Sequence, residues 1–124
     1  MESQVTGVRH RLTKADKLLA RAEFVRLTTH APKLANRQFI VFFEKSKHQK
    51  SRIGITVSRR VGNAVKRNRI KRLAREYFRL NNSFFKKPWD IHVIAKKEAA
   101  DGCGQIIYSS LEKLFRRIES SQNE

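Results

Sequence analysis

The change of hydrophobic period between residues 53 and 79, IGITVSRRVGNAVKRNRIKRLAREYFR, restricts the possible folds more than any other stretch of the chain. Ile53, Ile55 and Val57 alternate with Gly54, Thr56 and Ser58, which is the period of a strand with one apolar face. From Asn63 onward the apolar residues are Ile70, Leu73, Ala74, Tyr77 and Phe78, at the spacings of three and four that share one side of a helix. A strand runs directly into an amphipathic helix here.

At about 100° per residue, Asn68, Lys71, Arg72, Arg75 and Arg79 fall opposite the apolar sector, with Arg67 and Arg69 on its flanks. Between Arg59 and Arg79 there are nine basic residues against one acid, Glu76. A helix selected only for solubility interleaves acids at i,i+4 with its bases. Like charges packed this closely repel, and a polyanion relieves the repulsion. Arg also presents a planar donor fork to phosphate and stacks on bases, so an Arg-rich face suits nucleic acid better than bare solvent. Asn68 either reads a base edge or serves as a neutral spacer, and the residue types leave both open.

The whole chain points the same way. It has 124 residues, a net charge of +17 and a pI near 11.0, far from an ordinary metabolic enzyme. Nucleic acid is the first partner this implies and an anionic membrane surface the second. The basic residues flank a folded strand–helix unit instead of a lipid-seeking helix, which disfavours the membrane. The length fits one domain with one modest core, 40% of residues being apolar. No run is long and apolar enough to span a bilayer, and the N-terminus lacks the apolar segment of a secretory signal. The single cysteine, Cys103, excludes an internal disulfide and fits a reducing compartment. The expected location is the cytoplasm.

In chain order, Thr13 and Asp16 suggest a helix start, and Leu18, Leu19, Ala22, Val25 and Leu27 carry a loose helical pattern to about Thr28. Phe24 lies in that helix and, by pattern alone, reads as core. His30 to Lys33, with Pro32, reads as a connection. Phe39 to Phe43 is apolar at every position, a strand either covered on both faces or exposed in a binding groove. Residues 44–52 read as a polar hairpin connection to the strand over 52–58. Asn81-Asn82-Ser83 and Pro88 end the basic helix. A strand over 89–96 sets Ile91, Val93 and Ala95 on one face, and a last helix from about Gln105 to Arg117 carries Ile107, Leu111, Leu114, Phe115 and Ile118 as an apolar stripe. The predicted architecture is α+β, a two-layer α/β sandwich with a small mixed sheet covered by helices.

Catalytic groups do not assemble in this pattern. Asp16, Asp90 and Asp101 are scattered, and His10, His30, His48 and His92 show no metal-ligand spacing with one another or with Cys103. No phosphate-binding Gly-rich loop is present. His92, on a strand, reads as packed or half-exposed instead of as a general base. The chain is rich in binding groups and offers no catalytic or metal-ligating set.

The run Arg67-Asn68-Arg69-Ile70-Lys71-Arg72-Leu73, preceded by Gly62-Asn63-Ala64-Val65, resembles the signature of the bacterial ribonuclease P protein subunit. Ala35-Asn36-Arg37-Gln38-Phe39 and Val93-Ile94-Ala95-Lys96-Lys97 agree with it, and the resemblance covers about Arg11 to Ile118 of a single domain over residues 1–124. It implies a strand–helix–strand crossover of the rare left-handed kind. It also implies a subunit of an endoribonuclease in which an RNA is the catalyst, removing the 5′ leader of precursor tRNA. The partners it implies are that catalytic RNA and precursor tRNA, with one protein per RNA and Mg²⁺ held mainly by the RNA. Position by position, Arg67, Asn68, Arg69, Lys71, Arg72 and Arg75 match the family's RNA-facing helix, and Arg59, Arg60 and Lys66 extend that surface. Phe24 and Phe42 fall where the family places aromatic residues of a leader-binding cleft. Thr28 departs, standing where some members carry a second aromatic. Two other readings compete: a ribosomal or RNA-chaperone protein, and a DNA-binding regulator using residues 64–79 as a recognition helix, which the strand before that helix disfavours.

Overall fold

The computed structural model describes residues 21–121. The elements run α1 (Arg21–His30), β1 (Lys33–Ala35), β2 (Phe39–Lys45), β3 (Arg52–Thr56), α2 (Ala64–Asn81), β4 (Trp89–Ala95) and α3 (Gly104–Ser121), with short 3-10 turns at Asn82–Phe84 and Lys97–Asp101. The predicted start of the first helix, Thr13 to Leu19, lies outside the described residues.

The strands form one sheet in the order β1-β2-β4-β3. β4 pairs antiparallel with β2 and parallel with β3, so the sheet is mixed. This corrects the hairpin reading of residues 44–52: β2 and β3 are not neighbours, because β4 inserts between them. The reason is burial. All but one residue of β4 is buried, which suits a central strand, whereas β3 exposes Thr56 and half-exposes Arg52 and Ile55 and takes the edge. β1 is a further strand that sequence pattern read as connection. Three residues are too few to show a period, but Lys33 opposes Phe42 and Ala35 opposes Ile40.

Strand alternation divides the sheet into two faces. Phe39, Val41, Phe43, Ile53, Ile91, Val93 and Ala95 point to the main core, where they meet Ile70, Ala74, Tyr77 and Phe78 of α2 and the predicted stripe of α3. Rings interlock there: Phe115 lies edge-on to Tyr77 and Phe78 at centroid distances of 5.3 and 6.3 Å. Lost contacts and the resulting cavity make truncation of such a ring cost about 3–5 kcal/mol. The second face carries Ile40, Phe42, Glu44, Asp90, His92 and Ile94, with Arg52, Gly54 and Thr56 beside them. α1 lies over this face. Its inward residue is Leu27, fully buried, while Val25 is 51% exposed and Ala22 is also exposed, contrary to the loose pattern read from sequence.

Candidate nucleic-acid interface

Two regions hold the residues singled out by sequence. The first is the outer face of α2. Asn63 caps the helix from an extended backbone conformation, and its Oδ1 accepts from the Lys66 amide at 3.0 Å. Gly62 lets the chain turn in closely: a Cβ there would meet Lys66 Cδ at 3.0 Å. The apolar side of the helix is buried as its period predicts, with Leu73 half-buried against the core. The rest of the helix then has to face outward. Lys66, Asn68, Arg72 and Arg75 are exposed, Arg67, Arg69 and Lys71 are half-exposed, and Arg59 and Arg60 are exposed on the loop before the helix.

No ion pair among the described residues engages Arg67, Arg69, Lys71, Arg72 or Arg75. Glu76, the sole acid of the helix, accepts a hydrogen bond from the Tyr108 hydroxyl of α3 at 2.5 Å. Burial, with this carboxylate next in importance, pushes the Tyr108 phenol up to about 12. Arg67 folds back, its Nε donating to the Gly62 carbonyl at 3.2 Å, which fixes the guanidinium near the helix start. The surface is therefore a set of cations held on a rigid, capped helix with little internal neutralisation.

The second region is the cleft between α1 and the sheet. Phe24, half-buried on α1, stacks on the His92 ring at a centroid distance of 4.7 Å and an interplanar angle of 25°. Phe42, also half-buried, opposes His92 across the β2–β4 ladder. His92 and Thr56 share a hydrogen bond of 2.7 Å between Nε2 and Oγ1, while Nδ1 is buried with no partner. Burial lowers the His92 pKa, because the protonated ring loses its hydration there. The apolar-at-every-position strand β2 thus resolves into two roles: Phe39, Val41 and Phe43 are core, while Ile40 and Phe42 face the cleft.

An ion network closes one end of that cleft. Arg52 donates from Nε and Nη2 to the two oxygens of Asp90 at 3.0 and 2.8 Å, and from Nη2 to Glu23 of α1 at 2.6 Å. Arg26 pairs with Glu44 at 2.9 Å. Asp90 is buried, so the bidentate partner is what makes its charge tolerable there. The Asp90 hydrogen bond chiefly, and Glu23 with it, holds the Arg52 pKa above its ordinary value. Beside the network a cavity of about 300 Å³ is lined in part by Lys45, Lys47 and His48 of the β2–β3 connection. Sequence reading missed this network, since Glu23, Arg52 and Asp90 are far apart in the chain. The one available signal was Asp90, an acid on a mostly apolar strand.

Thr28, the position lacking an aromatic, is exposed, and its Oγ1 donates back to the Phe24 carbonyl at 3.0 Å. Among the described residues, no three His, Cys, Asp or Glu side chains are grouped to hold a metal ion. None of the described helices is long and apolar enough to cross a membrane.

The Ribonuclease P family model matches residues 12–119. The ribonuclease P protein component of Desulfatibacillum aliphaticivorans is 43% identical over 106 residues, covering 86% of this chain and 90% of that one. That of Thermotoga petrophila is 34% identical over 111 residues, covering 86% and 95%. Among solved structures, the Staphylococcus aureus RNase P protein superposes with a TM-score of 0.80 at 38% identity, covering 86% of this chain and 97% of that one. The Thermotoga maritima protein does so with a TM-score of 0.75 at 33% identity, covering 82% and 96%. With a family model spanning nearly the whole chain, relatives well above 30% identity and the same α+β fold in the solved structures, this chain belongs to the ribonuclease P protein family.

Proposed function

We propose that the chain is the protein subunit of a ribonuclease P holoenzyme, binding the catalytic RNA through α2 and the single-stranded 5′ leader of precursor tRNA through the cleft. The observation that carries this reading is the outer face of α2, where Arg67, Arg69, Lys71, Arg72 and Arg75 make no ion pair with a carboxylate among the described residues. Fixed cations at regular helical spacing suit the phosphates of a folded RNA, and counterion release supplies the affinity. Arg59, Arg60 and Lys66 extend that surface, and Asn68 lies among the cations at the exposed face.

The cleft supports the leader role by chemistry of a different kind. Phe24 and Phe42 offer half-buried rings, and stacking of a nucleobase on such a ring contributes about 1–3 kcal/mol without demanding a particular sequence. A leader held there while α2 docks on the catalytic RNA places the scissile phosphodiester relative to that RNA. The protein contributes orientation and charge neutralisation to the hydrolysis. Its residues do not fit an Mg²⁺ site: the cleft acids Glu23, Glu44 and Asp90 are each committed to a guanidinium. The Mg²⁺ of the holoenzyme is assigned to the RNA. One protein per RNA in the cytoplasm completes the reading.

Cleavage of a 5′-extended precursor tRNA at low Mg²⁺ tests it, with the protein alone, a bacterial ribonuclease P RNA alone, and both together. The expected result is cutting at the mature 5′ end by the mixture only. A mixture no better than the RNA alone overturns the proposal in favour of a general RNA-binding protein, and cutting by pure protein overturns the assignment of catalysis to RNA.

A further inference from the structure

The stack of Phe24 on His92 differs from the edge-on ring contacts of the main core. There Phe43 meets Trp89, and Tyr77 and Phe78 meet Phe115, at interplanar angles of 70°, 77° and 78°. Phe24 and His92 lie at 25°, nearly parallel. A near-parallel pair extends as a column, so a further flat ring laid on Phe24 continues it. Phe24 remains only half-buried although His92 covers one side of its ring.

The residue beneath Phe24 is a costly one for its surroundings. His92 is 4% exposed and shares its face of the sheet with Ile40, Phe42 and Ile94. Its Nδ1 is buried without a partner, a cost that an aliphatic side chain of similar size does not carry. An imidazole has two things an aliphatic chain lacks, a flat face and a ring nitrogen that can be anchored. Thr56 supplies the anchor. Gly54, the β3 residue opposite His92, brings no side chain, and the exposed Thr56 two residues further on holds Nε2 through Oγ1 at 2.7 Å. Whichever of the two atoms donates, the bond fixes the plane of the imidazole, and the imidazole fixes the plane of the phenyl ring stacked on it. From the helix side Phe24 is held by α1, which is seated by Leu27 and by the Glu23–Arg52 pair.

From this geometry we infer that His92 is a positioning residue for leader binding: anchored by Thr56, it holds the Phe24 ring in the plane on which a nucleobase of the leader stacks. The base touches Phe24 and does not reach His92, which stays buried. The inference rests on the proposed leader role of the cleft and adds to it the two residues that set the orientation of its ring. The gain is entropic. A phenyl ring free to change rotamer has to be ordered when the base arrives, whereas a ring already fixed does not.

Affinities of the assembled holoenzyme, this chain with a bacterial ribonuclease P RNA, for precursor and mature tRNA test it, their ratio isolating the leader. Phe24→Ala is expected to lower the ratio by about five- to a hundredfold, the worth of one stacked base. His92→Leu fills similar space without a flat face and is expected to lower it about fivefold, the cost of ordering a ring no longer held. Thr56→Val removes the anchor and keeps the ring, for an expected loss of about threefold, and His92→Phe, again a flat ring without an anchor, is expected to match it. In the Phe24→Ala background His92→Leu is expected to cost nothing further, because it acts through that ring. A ratio unchanged by His92→Leu or by Thr56→Val overturns the inference. So do equal losses for the two tRNAs, or a His92→Leu cost undiminished in the Phe24→Ala background. Thr56 is exposed, so its variant probes the anchor even where His92→Leu fails to fold. Failure of the cleft reading itself looks different: Phe24→Ala then leaves the ratio unchanged, and the inference falls with it.

Discussion

The outer face of α2 and the cleft beneath α1 are both rich in charge, and they handle it in opposite ways. On α2 the cations stand in water on a helix with one acid, and no ion pair among the described residues engages Arg69, Lys71, Arg72 or Arg75. In the cleft Arg52 and Arg26 are spent on Glu23, Asp90 and Glu44, so charge there ties a helix to a sheet. Exposed cations are cheap to keep and free to meet a partner; a buried carboxylate is costly unless it is paired. The same residue type is therefore left open to a partner in one place and committed to architecture in the other.

Breaking the architectural side gives the largest expected effect. Arg52→Ala removes both close hydrogen bonds to the buried Asp90 and leaves it only the Arg26 guanidinium at 4.0 Å, and loss of the main partner of a buried pair costs about 3–5 kcal/mol. Urea unfolding should show a midpoint far below that of Arg75→Ala on the exposed face. Near-equal midpoints for the two variants would mean that the cleft network is not structural. Binding reverses the order. Changing Arg69, Arg72 and Arg75 to Gln should lower the slope of log K against log salt by about 0.7–0.9 per lost phosphate contact, or roughly five- to eight-fold in affinity each at about 0.1 M salt. A salt slope unmoved by the triple change would remove α2 from the RNA interface.

Phe42→Ala probes the cleft as a binding surface. Loss of one stacked base should weaken precursor tRNA binding by about 1–3 kcal/mol while leaving mature tRNA, which has no leader, unaffected. Equal losses for the two RNAs would show that Phe42 only packs.

The smallest effect concerns pH. Burial lowers the folded-state pKa of His92, so the unfolded chain takes up its proton first on acidification. Stability from this group is full above the ordinary histidine pKa of about 6.5 and falls as pH drops through it, by at most about 1.4 kcal/mol per pH unit. Urea midpoints measured between about pH 7.5 and pH 5.5, above the main carboxylate range, should decline in the wild type and stay flatter in His92→Gln. Identical slopes would mean that the Phe24–His92 stack tolerates the charged ring.

The sequence alone determined the features that are local in the chain. The strand-to-helix switch at residues 53–79, the amphipathic basic helix α2 and the buried stripe of α3 all follow from periods of two and 3.6 residues, and they are present in the structure. The run from Arg67 to Leu73 even carried the family. Tertiary structure decided what depends on distant residues meeting. It placed β4 between β2 and β3, turned Val25 outward and Leu27 inward on α1, and recruited three residues too short for a visible period into β1. It also joined Glu23, Arg52 and Asp90 into one network and set Phe24 against His92. Periodicity reports which side of an element is apolar. Which element lies against that side, and which charges are stranded unless they pair across it, is settled only by the burial that comes with packing.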